Sequence, residues 1–140
     1  MSIVYFDSSA LVKLVVEEEG SDLAAQLWDA CDSAVSSRLA HPEVRAALAA
    51  AARDHRITGS GLRRAERDWA AFWSAVRPVE LTPAVEQSAG RLAGDHGLRG
   101  ADAVHLASAL AVGAGDLVVA AWDRRLRAGV LGAGLALAPA

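Results

Sequence analysis

Cysteine is nearly absent from this chain: Cys31 stands alone, so no disulfide can close within it and no cysteine-based zinc site can be built. A reducing compartment, the cytoplasm, is therefore the expected location. Long hydrophobic runs are missing too. No stretch approaches the ~18 uninterrupted apolar residues that mark a membrane span. The amino terminus enters a strand-like run at Ile3 without the basic and long apolar regions of a signal peptide, so neither kind of segment is expected. Excess positive charge is also lacking. Fourteen basic residues face 17 acidic ones, a net charge of −3, so no overall field draws the protein onto nucleic acid. Any surface for nucleic acid must be local. Lysine occurs once, at Lys13, and the many alanines and arginines beside it reflect GC-rich coding rather than phosphate recognition.

What the chain does have is a core. Its 140 residues are 53% hydrophobic and 22% charged, without low-complexity tracts. That is the size and balance of one folded domain, 1–140, burying roughly two thirds of its unfolded surface. Ile3-Val4-Tyr5-Phe6 is apolar throughout, as a strand covered on both faces should be, and stops at Asp7. Ser8 or Ser9 then caps a short helix through Leu11 and Leu14. Gly20-Ser21-Asp22 precedes a helix carrying Leu23, Leu27 and Trp28, and Ser33–Ser37 is a weak strand candidate. Pro42 suits the first turn of a third helix with Val44, Ala47, Leu48 and Ala51 on its apolar face, which puts Glu43 in that turn. Thr58-Gly59-Ser60-Gly61 is read as closing this unit.

From Leu62 to Val76 the period is helical, with Trp69, Phe72, Trp73 and Val76 on one stripe; Val79-Glu80-Leu81 reads as a short strand. A further helix ends near His96-Gly97. Gly100 then precedes a helix with Ala103, Leu106, Ala107 and Leu110 on one face and Asp102 in its first turn. Leu117–Trp122 is a second wholly apolar strand, with Asp123 at its end. A last helix and the strand-like Leu135-Ala136-Leu137 follow. Strands alternating with helices predict an α/β domain with a mainly parallel sheet.

Four acids share one topological trait: Asp7 and Asp123 follow apolar strands, while Glu43 and Asp102 sit where helices begin. In a parallel α/β sheet these places lie along one edge, outside the carboxyl ends of the strands, where ligands bind. Helix amino termini favour acids by ~0.3–1 kcal/mol, which accounts for Glu43 and Asp102 without any ligand. Together, however, two carboxylates ~5 Å apart repel by roughly 3 kcal/mol at an effective dielectric near 20, and a cation or raised pKa values must compensate. Hard oxygen donors without histidine or thiolate suit Mg²⁺ or Mn²⁺ and metal-assisted phosphodiester cleavage. Spacing alone leaves helix capping and metal binding both open.

The motifs themselves are familiar. Val4-Tyr5-Phe6-Asp7-Ser8-Ser9-Ala10-Leu11-Val12-Lys13 resembles the opening motif of PIN-domain nucleases, in particular the VapC toxins of bacterial toxin–antitoxin pairs. Pro42-Glu43-Val44 resembles their second motif, Leu98-Arg99-Gly100-Ala101-Asp102-Ala103-Val104-His105-Leu106-Ala107 the third, and Ala121-Trp122-Asp123-Arg124-Arg125-Leu126 the fourth. In this order and at these separations they span nearly the whole chain. The resemblance implies a PIN-like three-layer α/β/α domain and Mg²⁺- or Mn²⁺-dependent endoribonuclease activity on structured cellular RNA. It also implies inhibition by a cognate VapB-type antitoxin, and a homodimer. Asp7, Glu43, Asp102 and Asp123 become the metal-binding and catalytic residues, with Asp7 and Asp102 the strongest ligands and Glu43 and Asp123 acting partly through water. One departure stands out. Ala121 occupies the position, two before the fourth acid, where the family often has Thr or Ser, so any hydroxyl contact there is lost.

Other residues carry weaker signals. His105, one turn beyond Asp102, is expected to hydrogen-bond structurally rather than act as a base or ligand. Trp69, Phe72 and Trp73 divide evenly between core and an antitoxin groove. Arg38, Arg45, Arg99, Arg124 and Arg125 flank the acidic motifs as either phosphate contacts or solvated charges, and Glu17-Glu18-Glu19 reads as an exposed turn. A Ser-His-Asp nucleophile finds no elbow motif to support it. Two rivals to the nuclease reading are a phosphatase using Asp7 as nucleophile, against which Ser9 stands where a second Asp belongs, and a non-catalytic protein whose acids only cap helices.

Overall fold

The apolar run near the amino terminus lies at the centre of the molecule. In a computed structural model that describes residues 2–140, Ile3–Phe6 form β1, hydrogen-bonded in parallel to β2 (Ser33–Ser37) on one side and β4 (Leu117–Ala120) on the other. β3 (Arg77–Val79) and β5 (Ala136–Ala138) complete the order β3-β2-β1-β4-β5, and every pair is parallel. The expected mainly parallel sheet is thus wholly parallel.

Side chains alternate across a strand, and β1 uses both faces. Val4 and Phe6 enter one core with residues of α1 (Ser8–Val15), α2 (Ser21–Ala30), α3 (Ala40–Arg53) and α4 (Gly59–Ala75). Tyr5 enters the other with α5 (Pro83–His96), α6 (Gly100–Val112) and α7 (Arg124–Gly132). Helices therefore cover both faces, in three layers. Trp69 settles into the first core with 1% of its surface exposed. Phe72 meets Trp28 edge-on at 4.9 Å, and Trp73 leans on Trp69 at 5.4 Å.

The chain leaves β1 for β2 and β3 on one side, then crosses back to β4 and β5 on the other. Such a reversal opens a crevice at the carboxyl ends of the strands where it occurs, here β1 and β4. The Asp7 amide donates to the Ala120 carbonyl at 3.2 Å, carrying the β1–β4 pairing to the crevice floor.

Several sequence-based boundaries shift. Thr58 does not close the third helix; its hydroxyl accepts the Gly61 amide and caps α4, so the Gly-Ser-Gly stretch is that helix's first turn. β3 begins two residues earlier than expected because Arg77 and Val79 take the register against Val35 and Ser37, leaving Glu80 and Leu81 outside. The apolar stretch ending at Trp122 leaves the sheet after Ala120, where Asp7 takes the last carbonyl. β5 lies one residue later than read, paired through Ala136–Ala138 to Val118–Ala120. Gly20, at φ +90°, sits under the Trp122 indole, where an added Cβ would come within 2.8 Å of its nitrogen.

Candidate active site

Asp7 is set by where β1 stops. Its backbone is extended (φ −74°, ψ 176°) and its carboxylate accepts the Ala10 amide at 2.8 Å, so Asp7 itself is the cap of α1. The expected cap, Ser8 or Ser9, is corrected: the helix starts one residue sooner than a serine cap requires. The Ser9 hydroxyl donates to the Asp7 carboxylate at 2.8 and 3.0 Å, and Ser8 turns toward Glu43. Asp7 is only 4% exposed. Burial pushes its carboxyl above the usual range, the Ala10 and Ser9 hydrogen bonds and His105 pull it back, and the nearby Asp102 charge pushes it up again. Asp7 and Asp102 therefore share one end of the molecule.

Glu43 projects from the first turn of α3, as its place after Pro42 predicts. Its Oε1 receives the Ser8 hydroxyl at 2.5 Å and lies 2.7 Å from Nε2 of His105. His105 is 3% exposed, and its Nδ1 lies 2.8 Å from the Tyr5 hydroxyl. Burial raises the Tyr5 phenol far above its usual range, so it keeps its proton. Tyr5 donating to Nδ1 leaves Nε2 carrying the proton that Glu43 accepts, which fixes the tautomer. Burial lifts the Glu43 carboxyl, but the His105 and Ser8 hydrogen bonds outweigh it and hold Glu43 below the ordinary range, ionised. The expectation of a hydrogen-bonding His105 holds. Its pairings with Tyr5, Ser8 and Glu43 are what sequence reasoning missed.

Asp102 lies in the first turn of α6, whose capping residue, Arg99, makes no side-chain cap bond. The Arg99 guanidinium instead reaches Asp102 Oδ2 at 3.1 Å and Asp123 Oδ2 at 3.4 Å. Asp123 caps α7 with its other oxygen, which accepts the Leu126 amide at 3.0 Å. Both carboxylates hold the Arg99 proton tightly, raising its pKa further. Asp7 and Asp123 thus are helix caps as well as crevice acids, so the capping account and the ligand account do not compete.

The structure brings the acids to one end in linked pairs: Asp7 senses Asp102, Arg99 joins Asp102 to Asp123, and Ser8 and His105 hold Glu43. Among the described residues no three acidic, histidine or cysteine side chains stand grouped as a ready-made metal site. The donor chemistry nevertheless fits a hard divalent ion: all four acids offer oxygen, one is buried with a like charge nearby, and two already share a cation.

Of the other flanking arginines, Arg38 pairs with Glu80, and Arg45 with Glu66 at 2.7 Å. Arg124 and Arg125 are exposed and make no ion pair among the described residues. Glu18 pairs with Lys13 at 3.1 Å, tethering one side of the expected acidic turn. Beside α3, Leu39, Pro42, Trp73 and Leu81 line an open apolar groove of ≈ 480 Å³, with Leu81 57% exposed.

Known proteins resemble this chain in sequence and in fold. The PIN domain family matches residues 4–128. The chain is 68% identical over 140 residues to Ribonuclease VapC45 of Mycobacterium tuberculosis (strain CDC 1551 / Oshkosh), covering 100% of this chain and 97% of that one. The crystal structure of PAE2754 from Pyrobaculum aerophilum superposes with a TM-score of 0.72 at 24% identity, over 97% of this chain and 83% of that one. A chain of a toxin–antitoxin complex from Klebsiella pneumoniae gives 0.66 at 21% identity, over 92% and 93%. The structural likenesses establish the fold and the long sequence match the lineage: this chain belongs to the PIN-domain family, among the VapC ribonucleases.

Proposed function

We propose that this protein is a divalent-metal-dependent endoribonuclease, a VapC-type toxin of one PIN domain that cleaves cellular RNA and is neutralised by a VapB-type antitoxin. The observation that carries this reading is the 68% identity, end to end, to Ribonuclease VapC45. Asp7, Glu43, Asp102 and Asp123 are the residues that would hold Mg²⁺ or Mn²⁺. When bound, the ion supplies an activated water and neutralises charge at the leaving oxygen. Glu43 stays ionised because Ser8 and His105 donate to Oε1, so Oε2 is the oxygen that would be offered to an ion. Asp7 is almost fully buried at the crevice floor, and the neighbouring Asp102 charge adds to the cost of ionising it, a cost that a divalent cation would relieve. Exposed Arg124 and Arg125, next to Asp123, give a net acidic protein the local positive surface that an RNA backbone needs.

The aspartyl-phosphatase reading loses its support, since Ser9 is spent on the Asp7 carboxylate and the family is a different one. The antitoxin partner is supported by the fold shared with the toxin–antitoxin complex and by the groove along Trp73 and Leu81. No described helix is long and apolar enough to cross a membrane. We place the protein in the cytoplasm, as a homodimer when free of its partner. The decisive test is cleavage of total RNA with Mg²⁺ or Mn²⁺ by wild type, Asp7→Asn and Asp102→Asn, with folding checked by circular dichroism. Both variants should be inactive and folded. Wild-type cleavage by either would refute the assignment. Co-expression with the product of the adjacent upstream gene should yield a complex, and growth unaffected by the toxin alone would remove the toxin label.

A further inference from the structure

Of the arginines that flank the acidic motifs, only Arg99 is bonded to acids from two of them. Its guanidinium approaches from solvent, 65% exposed, onto Asp102 and Asp123 side chains that are 13% and 37% exposed. The oxygens it takes are Oδ2 of each acid, whereas Asp123 Oδ1 is committed to the α7 cap. Arg99 therefore occupies the Asp123 oxygen that is left for an ion. Ion pairs of so exposed a side chain are weak, and a monovalent guanidinium yields readily to a divalent ion at the same carboxylates. Once displaced, a planar fork of N–H donors beside the crevice matches a phosphate in geometry and charge.

We propose that Arg99 is an internal counter-cation, paired with Asp102 and Asp123 before the divalent ion is loaded and, once released, a contact to a phosphate oxygen of the RNA. The proposal rests on the metal-dependent reading above. Arg99 gives up both carboxylates as the ion binds, so repulsion between the acids stays compensated at every stage. The acidic end then folds without metal, and the arginine moves to substrate only when the site is ready for it.

The test is Mn²⁺ titration calorimetry on the whole protein, without RNA, for wild type, Arg99→Gln, Arg99→Lys and Asp102→Asn, followed by cleavage kinetics at saturating Mn²⁺. Removing the competitor should tighten Mn²⁺ binding by Arg99→Gln about 3- to 10-fold, the loss of an exposed two-acid ion pair. With the ion saturating, its KM for RNA should rise about 10-fold, as expected when a charged phosphate contact is lost. Arg99→Lys keeps the charge without the fork, and should hold Mn²⁺ affinity near wild type while recovering only part of the KM. Unchanged or weaker Mn²⁺ binding by Arg99→Gln overturns the counter-cation role, and an unchanged KM overturns the phosphate contact. Asp102→Asn separates the two levels: if it binds Mn²⁺ as tightly as wild type, the metal reading itself has failed and Arg99 has nothing to compete with.

Discussion

A buried carboxylate is a burden until something positive faces it, and Asp7 is almost fully buried. Its folded-state carboxyl is raised, by burial first, above its unfolded value. The sign follows from linkage: stability tied to the protonated form is fully present below the ordinary aspartate range and is lost as pH rises through the raised folded value. Asp7→Asn removes that loss while preserving the cap of α1, since asparagine caps as well as aspartate. In urea denaturation with chelator present, the variant should gain on wild type between pH 4 and pH 8 while its RNA cleavage collapses. A stability difference that does not change with pH would sink the argument. The Glu43 clamp calls for a finer substitution. Tyr5→Phe deletes one hydroxyl and frees the His105 tautomer, and should lower metal affinity or turnover by ~10- to 100-fold with little change in Tm. Of these residues, Asp7 was legible because a strand visibly ends on it. Tyr5 and Ser8 were not, since their partners lie 100 and 35 positions away and only folding joins them.

Among elements, α3 and α6 differ from α1, α4, α5 and α7. The latter four are closed by a side chain, from Asp7, Thr58, Thr82 and Asp123, whereas α3 and α6, like α2 with Asp22, have no side-chain cap and carry their acids, Glu43 and Asp102, in the first turn. An uncapped amino terminus offers its partial positive charge to whatever anion is near, so both helices stabilise the acids they present. Periodicity revealed these helices, and Pro42 and Gly100 placed their starts. The start of α4 was misread because Thr-Gly-Ser-Gly serves equally as a turn or as a capped first turn, and only the Gly61 amide on Thr58 decides. Trp69 shows how an element far from the acids steadies one of them. Its indole donates to His41 at 3.1 Å, two residues before Glu43 in the first turn of α3. Trp69→Ala should cost ~3–5 kcal/mol in urea unfolding, as large core truncations do. Cleavage at temperatures where the variant remains folded should also fall, through loss of the α3 register, and a variant that is destabilised yet fully active would contradict the coupling.

For the whole molecule, the order β3-β2-β1-β4-β5 decides where chemistry can occur. Alternating strands and helices announced a parallel sheet. The crossing of the chain from β3 back to β4 is a long-range choice that no local pattern encodes, so convergence of the acids followed from a general rule about such sheets and not from their spacing. The Arg99–Asp123 bond was invisible for the same reason, as it joins the starts of two different helices, whereas Arg99–Asp102 is a local pair three residues apart. Since the acids of this end repel and a divalent ion relieves them, metal should act on the entire fold. At an ion concentration 100 times its dissociation constant, wild type should gain ~2.7 kcal/mol of stability over the chelated protein. Cleavage should vanish with chelator and return with Mg²⁺ or Mn²⁺. A melting temperature indifferent to both ions would count against the site.

The bond from the Asp7 amide to the Ala120 carbonyl has a mechanical consequence. It rivets the strand end bearing one acid to the strand end leading toward another, so these two sit on a single anvil that yields only if the sheet splits. Glu43 and Asp102 ride on helical turns with no such rivet. Their places are kept by side chains alone, Ser8 and His105 for Glu43 and Arg99 for Asp102, so single substitutions can loosen the helical pair while the floor stays intact.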